Sequence, residues 1–416
     1  MCTNRSDVGH ASTARRAPGA GYGTERGEGA PASARAGVGL HVGRLLTHPA
    51  RPHSARRAYL DWMRGLAVLI MIEAHLLDSW TRTADRGTAI FGWAITLGGI
   101  GAPLFLLLAG VSVALSAGLK LRQSGKRRAA ARQVARRGLE IFGLAFLFRL
   151  QAWILSWGPA TTLLRVDILN IMGPSIAAAA GIWGLGRRAQ ARLLLLLAAT
   201  LALVLATPLV RTWPALARLP DPIEAYVRPA GGYSLFVVFP WSAFVFAGAV
   251  VGVLIEAART VESERRLTAS LSTAGLLLAA LAFACSYLPS PFAASSFWTT
   301  SPAYFFLRVG LMLFVLGLSW RWVARTPRRL PWSPLVQLGR TSLFIYWIHV
   351  EMVYGLVSLP LHRALSLGQA AMAYVVFVVA MLACSVGKEQ FLAWYRLRQS
   401  GPVPAGVSVP PPGRIR

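Results

Sequence analysis

Residues 60–80 read LDWMRGLAVLIMIEAHLLDSW. The middle of this stretch is apolar enough to cross a membrane, yet the stretch carries Asp61, Arg64, Glu73, His75 and Asp78. A charged side chain at the centre of a spanning helix costs about 2.5–3.5 kcal/mol on insertion scales. Such groups are kept where they face a polar cavity or one another. The fold therefore turns on whether the rest of the chain is built for a membrane.

Working outward, the 416 residues are 55% hydrophobic and 14% charged, with a mean hydropathy of +0.51. Soluble domains carry about 25% charged residues. The expected fold is an all-α polytopic membrane protein of about ten transmembrane helices. Apolar segments lie near 60–80, 88–118, 138–157, 166–185, 191–210, 233–255, 268–288, 303–322, 339–358 and 367–387. The second is long enough to tilt, re-enter or break at Gly98–Gly101. The net charge of +27 does not read as a nucleic-acid footprint, because the basic residues cluster between runs long enough to span a bilayer. They read as an orientation signal and as an affinity for anionic membrane lipids.

Loops after the even-numbered segments hold 19 Lys and Arg, and those after the odd-numbered segments hold 7. The first set is expected to be cytoplasmic, which places both termini in the cytoplasm and the protein in the cytoplasmic (inner) membrane. Residues 1–57, rich in Ala, Gly, Arg and Ser without an apolar run, are expected to form a disordered basic tail rather than a signal peptide. A start codon assigned too far upstream would give the same composition. The transmembrane domain is expected over 58–390, with a cytoplasmic tail at 391–416. Cys2, Cys285 and Cys384 fit neither a metal site nor a disulfide framework, the last two reading as packing residues. The exterior loops, including 211–232, are too short to hold a domain, so any site lies between helices or at their mouths.

Glu73, His75, Glu140, Arg149, Arg308, His349 and Glu351 all fall within or beside apolar segments. Asp61 and Arg64, three apart, share a helix face. They form either an interfacial salt bridge or an anion-binding pair at the cytoplasmic mouth. His75 lies in the outer half of the span, with Asp78 three residues on, and a carboxylate beside an imidazole favours general-base work. The same pair could equally be a satisfied interfacial contact. Glu73 points to another face, toward Arg149 or Arg308. In the ninth segment Ser342, Tyr346 and His349 follow helical spacing, which gives a cavity wall with a second proton-transfer candidate or a packed histidine. Arg165, Asp167 and Asn170 open the fourth segment as polar-acceptor candidates. Pro240 and Trp241 lie in the sixth, where the proline frees a carbonyl, Trp241 anchors, and Gly248 and Gly252 permit close packing. No phosphate loop, zinc pattern or serine elbow appears, so no metal is expected.

LDWMRGLAVLIMIEAH resembles the opening motif of the transmembrane acyltransferase superfamily. That group includes the heparan-alpha-glucosaminide N-acetyltransferase-like proteins and the type-3 membrane acyltransferases. GGIGAPLFLLLAGVSVAL, RVDILNIMG, VVFPWSAFVFAGAVVG, SPAYFFLRVGLMLFVLGL and LGRTSLFIYWIHVEM resemble the former branch, in the family's order, over about residues 58–390. The resemblance implies a ten- or eleven-helix acyltransferase. It would carry an acetyl or other short acyl group from cytoplasmic acetyl-CoA, a cosubstrate, to a sugar or glycan on the far side. His75 falls on the histidine that closes the type-3 motif and is the proposed catalytic group there. The lysosomal enzyme's histidine lies instead in the loop after the first helix, where this chain reads TRTADRGTA.

The expected roles follow. Asp61 and Arg64 receive the CoA side, and His75, oriented by Asp78, deprotonates the acceptor or is itself acylated. Arg165, Asp167, Asn170, Trp241, Arg308, Tyr346 and His349 line the acceptor cavity. The rival expectations are a proton-coupled transporter or lipid-linked glycan flippase, and a scaffolding member without activity. A homodimer is compatible with the sequence.

Overall fold

The computed structural model describes residues 57–399 except 157–158, 293–294 and 327–331. The expectations for residues 1–56 and 400–416 lie outside the described residues. Thirteen α-helices follow in chain order among those described: α1 (Ala58–Trp80), α2 (Ala89–Gly98), α3 (Gly101–Ser124), α4 (Arg127–Ser156), α5 (Ile168–Leu185), α6 (Ala189–Arg211), α7 (Asp221–Val227), α8 (Val238–Ala257), α9 (Val261–Cys285), α10 (Pro302–Arg325), α11 (Pro334–Arg340), α12 (Ser342–Tyr354) and α13 (Leu367–Gln399). Extended pairing among them is limited to two isolated bridges, Thr81 with Leu365 and Val166 with Ser234.

Eight helical stretches are long and apolar enough to cross a membrane: Ala89–Ser124, Arg127–Leu155, Ile168–Leu185, Ala189–Arg211, Val238–Ala257, Val261–Cys285, Pro302–Arg325 and Leu367–Arg396. At 23 residues α1 has the length, but it carries four charged groups. The 13 residues of α12 are too few alone. The outer faces suit lipid. Leu194, Leu201, Leu205 and Leu209 on α6, Leu276, Leu277 and Leu281 on α9, and Met372, Val375, Val376 and Val379 on α13 are exposed. Such a surface would aggregate in water, and helices are one of the few forms that satisfy their own backbone in hydrocarbon.

Close packing rests on glycines where main chains meet. A Cβ on Gly110 of α3 would overlap the Val245 carbonyl oxygen of α8, and one on Gly248 would overlap the Leu107 carbonyl oxygen. Small residues let helices approach without a hydrophobic drive, which lipid does not supply. Gly65 of α1 and Gly339 of α11 meet in the same way, against the carbonyl oxygens of Leu335 and Asp61. At the break between α11 and α12, Thr341 Oγ1 lies 2.6 Å from Ser385 Oγ, and Gln337 Nε2 donates to Ser385 Oγ at 3.0 Å. These buried groups tie the break to α13.

Several sequence expectations are corrected. Most of the basic stretch KLRQSGKRRAAARQVARR is helix: α3 runs to Ser124 and α4 begins at Arg127. The turn is Gly125, which at φ 66° takes the left-handed conformation that glycine tolerates. Pro240 does not interrupt a long helix. It sits in the first turn of α8, after a non-helical Phe239. The loop at 211–232 contains α7. Helix α13 continues across the expected boundary at residue 390. Cys285 and Cys384 are exposed rather than packed. Glu140 is half-exposed and pairs with Arg136 and Arg137, so it does not face the interior.

Candidate active site

Two large cavities open along α1, one near each end. The first, about 760 Å³, is walled by α1, α4, α8, α12 and the segment before α5, and includes His75, Asp78, Arg149, Arg165, Asp167, Trp241, Tyr346, Glu351 and Tyr354. The second, about 910 Å³, is walled by Arg57, Asp61, Arg64, Ser112, Arg122, Arg192, Glu256 and Arg259. A small cavity of about 210 Å³ shares Arg64, Ser112 and Ser116 with the second and reaches Met172, Ile176 and Ser342. Ser342 lies one helical turn before Tyr346, and Met172 one turn after Ile168, both walls of the first cavity. The small cavity thus adjoins the second through shared residues and stops about one helical turn short of the first, with which it shares none. Arg64 and His75 are 11 residues apart on one helix, which is about 16 Å at 1.5 Å rise per residue.

In the first cavity His75 Nδ1 lies 3.0 Å from His349 Nε2. The rings are within 8° of coplanar with centroids 5.2 Å apart. That separation and that angle together fit an in-plane N–H···N bond rather than a face-to-face stack. His349 is fully buried, and its Nδ1 lies 2.8 Å from the Ile345 carbonyl oxygen, one turn back on α12. Asp78 does not orient His75. Arg86 donates to it twice, from Nη2 to Oδ1 at 2.8 Å and from Nη1 to the main-chain oxygen at 2.7 Å. The Tyr354 hydroxyl reaches Asp78 Oδ2 at 3.3 Å, and the Tyr354 ring stands edge-on to His75 at 5.6 Å. The expectation of a His75–Asp78 pair is thus corrected: the nearer positive charge takes the carboxylate, and the imidazole pairs with another imidazole.

The segment before α5 is held by backbone pairing. Val166 N donates to the Tyr233 carbonyl at 2.7 Å, and Leu235 N donates to the Val166 carbonyl at 3.0 Å. This sets Arg165, Asp167 and Leu235 on one wall. Asp167 caps α5. Its Oδ1 accepts from Leu169 N at 2.9 Å, while Asn170 Oδ1 accepts from Asp167 N at 3.0 Å. This reciprocal capping box accounts for Asn170, which is buried below the wall and donates to the Tyr226 hydroxyl at 3.3 Å. Burial pushes the Asp167 carboxyl above the usual carboxylate range, and Arg149, followed by the two backbone N–H groups, pulls it back. Burial, and then the Arg149 charge, lower the Arg165 guanidinium from its ordinary value. Arg149 Nε, Arg165 Nε and Glu351 Oε1 are buried without hydrogen-bond partners among the described residues. They give the cavity unspent capacity for a polar ligand.

The remaining expected site residues are placed as follows. Trp241 lines the cavity and stacks edge-on to Phe236 at 4.6 Å. Tyr346 lines it between Phe148 and His349. Arg308 stands behind the wall, over the Tyr304 ring at 3.8 Å, and donates to the Tyr304 hydroxyl. Glu73 forms no ion pair among the described residues, and its Oε2 is orphaned. Sequence reasoning assigned no role to Tyr354 or Arg86. The sole signal was their position at helix mouths.

At the other end Arg64 Nη1 donates to Asp61 Oδ1 and Nη2 to Ser112 Oγ, each at 2.6 Å. Arg122 Nη1 pairs with Glu256 Oε1 at 3.0 Å. Arg192 lies 4.0 Å over the Trp183 ring. The wall is predominantly cationic and suits an anionic ligand. Among the described residues no group of three or more His, Cys, Asp or Glu side chains is placed to hold a metal ion.

His349, expected to line the cavity, lies behind it, and His75 alone of the pair faces it. An all-helical, multi-pass membrane protein with a paired histidine facing one cavity and an arginine-lined cavity on the same helix has the parts of a membrane-embedded group-transfer enzyme. Residues 56–286 match the family described as heparan-alpha-glucosaminide N-acetyltransferase, catalytic. The match covers more than half of the chain, which belongs to this family, and membership carries membrane acetyltransferase chemistry. It spans α1 through α9, so α12, which supplies Tyr346, His349 and Glu351, lies beyond it. No curated protein matches the chain.

Proposed function

We propose that the protein transfers an acetyl or other short acyl group from acyl-CoA to a sugar or glycan acceptor on the opposite side of the membrane. Acyl-CoA enters the cavity of Asp61 and Arg64 from the cytoplasm, its phosphates drawn by the arginine wall. Its long, narrow arm follows α1 past the small cavity toward His75. The acceptor occupies the outer cavity, where Arg165, Glu351 and the Asp167 carboxylate offer hydrogen bonds to hydroxyls. His75 takes a proton from the acceptor hydroxyl or amine as that atom attacks the thioester carbonyl. The C–S bond breaks, and the CoA thiolate leaves and takes up that proton. A thioester is already activated, so alignment and proton removal are the main tasks.

In this reading α1 and the broken pair α11–α12 also cross the membrane. That brings the spans to ten and both termini to the cytoplasm of a cell whose inner membrane holds the protein. Membrane lipids cover the apolar outer faces.

The observation that carries the reading is the placement of two large cavities near the two ends of α1, with the arginine cluster at one and His75 at the other. The test is CoA-thiol release from acetyl-CoA by purified protein offered amino sugars and glycans, with His75→Ala beside the wild type. Acceptor-dependent release that vanishes in a folded His75→Ala supports the reading. Release that persists moves the base elsewhere. No release, with no acetyl-CoA binding, refutes it.

A further inference from the structure

The hydrogen-bond chain through the two histidines has a direction. A carbonyl oxygen only accepts, so at 2.8 Å from Ile345 O the His349 Nδ1 must carry hydrogen. A neutral imidazole has one N–H, and His349 Nε2 is then an acceptor. A second proton on His349 would place a charge in a fully buried position where no carboxylate bonds to it among the described residues. With His349 Nε2 accepting, His75 Nδ1 at 3.0 Å must donate. The single lone pair left to neutral His75 is on Nε2. His75 lines the outer cavity and His349 does not, so the accepting nitrogen is the one without a bond to His349.

We infer that His349 is a positioning residue that holds His75 as the Nδ1–H tautomer, making Nε2 the one nitrogen able to take the acceptor's proton. This rests on the reading of His75 as the base. The near-coplanar rings also fix the plane in which that lone pair lies, which turns a freely rotating imidazole into an aimed one. During transfer His75 Nδ1 keeps its proton and its bond to His349. Nε2 gains the acceptor's proton and returns it to the CoA thiolate, so the pair ends each cycle as it began.

The test uses the full chain in lipid nanodiscs, with histidine ring nitrogens labelled with ¹⁵N. The His75 signals are identified by their loss in His75→Ala. The wild type is expected to show His75 protonated at Nδ1, and His349→Leu to lose that preference. His349→Gln places an amide oxygen where Nε2 stood and is expected to restore it. In the CoA-release assay His349→Leu should lower kcat about 100-fold, with KM for acetyl-CoA within about twofold of wild type. His349→Gln should recover most of that loss.

A wild-type His75 protonated at Nε2 overturns the inference, as does a folded His349→Gln no more active than His349→Leu. If His349→Leu does not fold, the wild-type tautomer and the Gln variant decide. No CoA release from a wild type with Nδ1–H on His75 defeats the acyltransferase reading while supporting the tautomer. Release with Nε2–H on His75 does the reverse.

Discussion

Arg149 Nη2 stands 3.3 Å from Asp167 Oδ2, an ion pair of side chains 12% and 4% exposed that joins α4 to the cap of α5. Asp167 therefore has two tasks, a charge for Arg149 and an acceptor for the first turn of α5. Asp167→Asn keeps the acceptor and Asp167→Ala loses both. Breaking a buried pair costs about 3–5 kcal/mol, and losing an N-cap about 1 kcal/mol more. Both variants are expected to lower Tm in detergent, with Ala the lower. Equal Tm values would remove the cap from the account.

Asp78→Asn is expected to retain most acyl transfer, losing less than about tenfold in kcat. Its carboxylate serves Arg86 and Tyr354, and exposed pairs of this kind contribute about 0–1 kcal/mol. The measurement is CoA release beside His349→Leu. A greater loss from Asp78→Asn than from His349→Leu would return Asp78 to the role of partner for His75.

Arg64→Ala should act on binding rather than chemistry, because Arg64 lies in the arginine-lined cavity and three turns of helix from His75. Hydrogen bonds to charged groups contribute about 1.5–3 kcal/mol, so KM for acetyl-CoA should rise at least about tenfold. A fall in kcat with unchanged KM would place the nucleotide elsewhere.

Gly248→Ala tests the contact of α3 with α8. The new methyl would meet the Leu107 carbonyl oxygen, which belongs to main chain and cannot turn aside. Overpacking costs about 1–3 kcal/mol and sometimes more, so lowered Tm or aggregation on extraction is expected. Gly92→Ala, which would meet nothing within 4 Å, is the control and should melt as wild type. Equal melting of both would refute the tight contact.

Asp85 gives a pH prediction. Hydrogen bonds from Arg82, then from the backbone N–H of Leu367, hold its carboxyl below the ordinary carboxylate value. The folded pKa is depressed, so the stabilisation is present above the unfolded value of about 4 and is lost as pH falls through the folded value. The bond to Leu367 N, at 2.8 Å, fastens the start of α13 to the turn after α1. Amide-exchange protection at Leu367 should fall on acidification below that range in the wild type. In Asp85→Asn it should be insensitive to pH there. An identical pH response in both would dismiss Asp85 as the fastener.

The membrane character and most helix positions were legible because spanning runs of leucine, valine and alanine are unmistakable at this length. The break at Gly98–Gly101 was one of three readings of that segment, beside tilt and re-entry, and the structure shows the break. The break at Thr341 was not legible, because Gly339-Arg-Thr-Ser carries no proline to mark it. Of the candidate site, His75, Arg165, Asp167, Trp241 and Tyr346 line one cavity, all flagged as polar or aromatic groups in apolar surroundings. Spacing along one helix suggested Asp78 as the partner of His75. The partner in the structure is 274 residues away, a distance no periodicity reports. Asn170 was mistaken for a ligand group because a capping box and a polar site draw on the same residue types.

The histidine chain ends on the Ile345 oxygen, and that terminus decides where its hydrogen can travel. A row of imidazoles continuing across the bilayer would conduct, each ring accepting hydrogen on one side and releasing it on the other. A main-chain carbonyl has no hydrogen to release. By stopping there, the two-ring chain has no onward step for hydrogen on the Ile345 side.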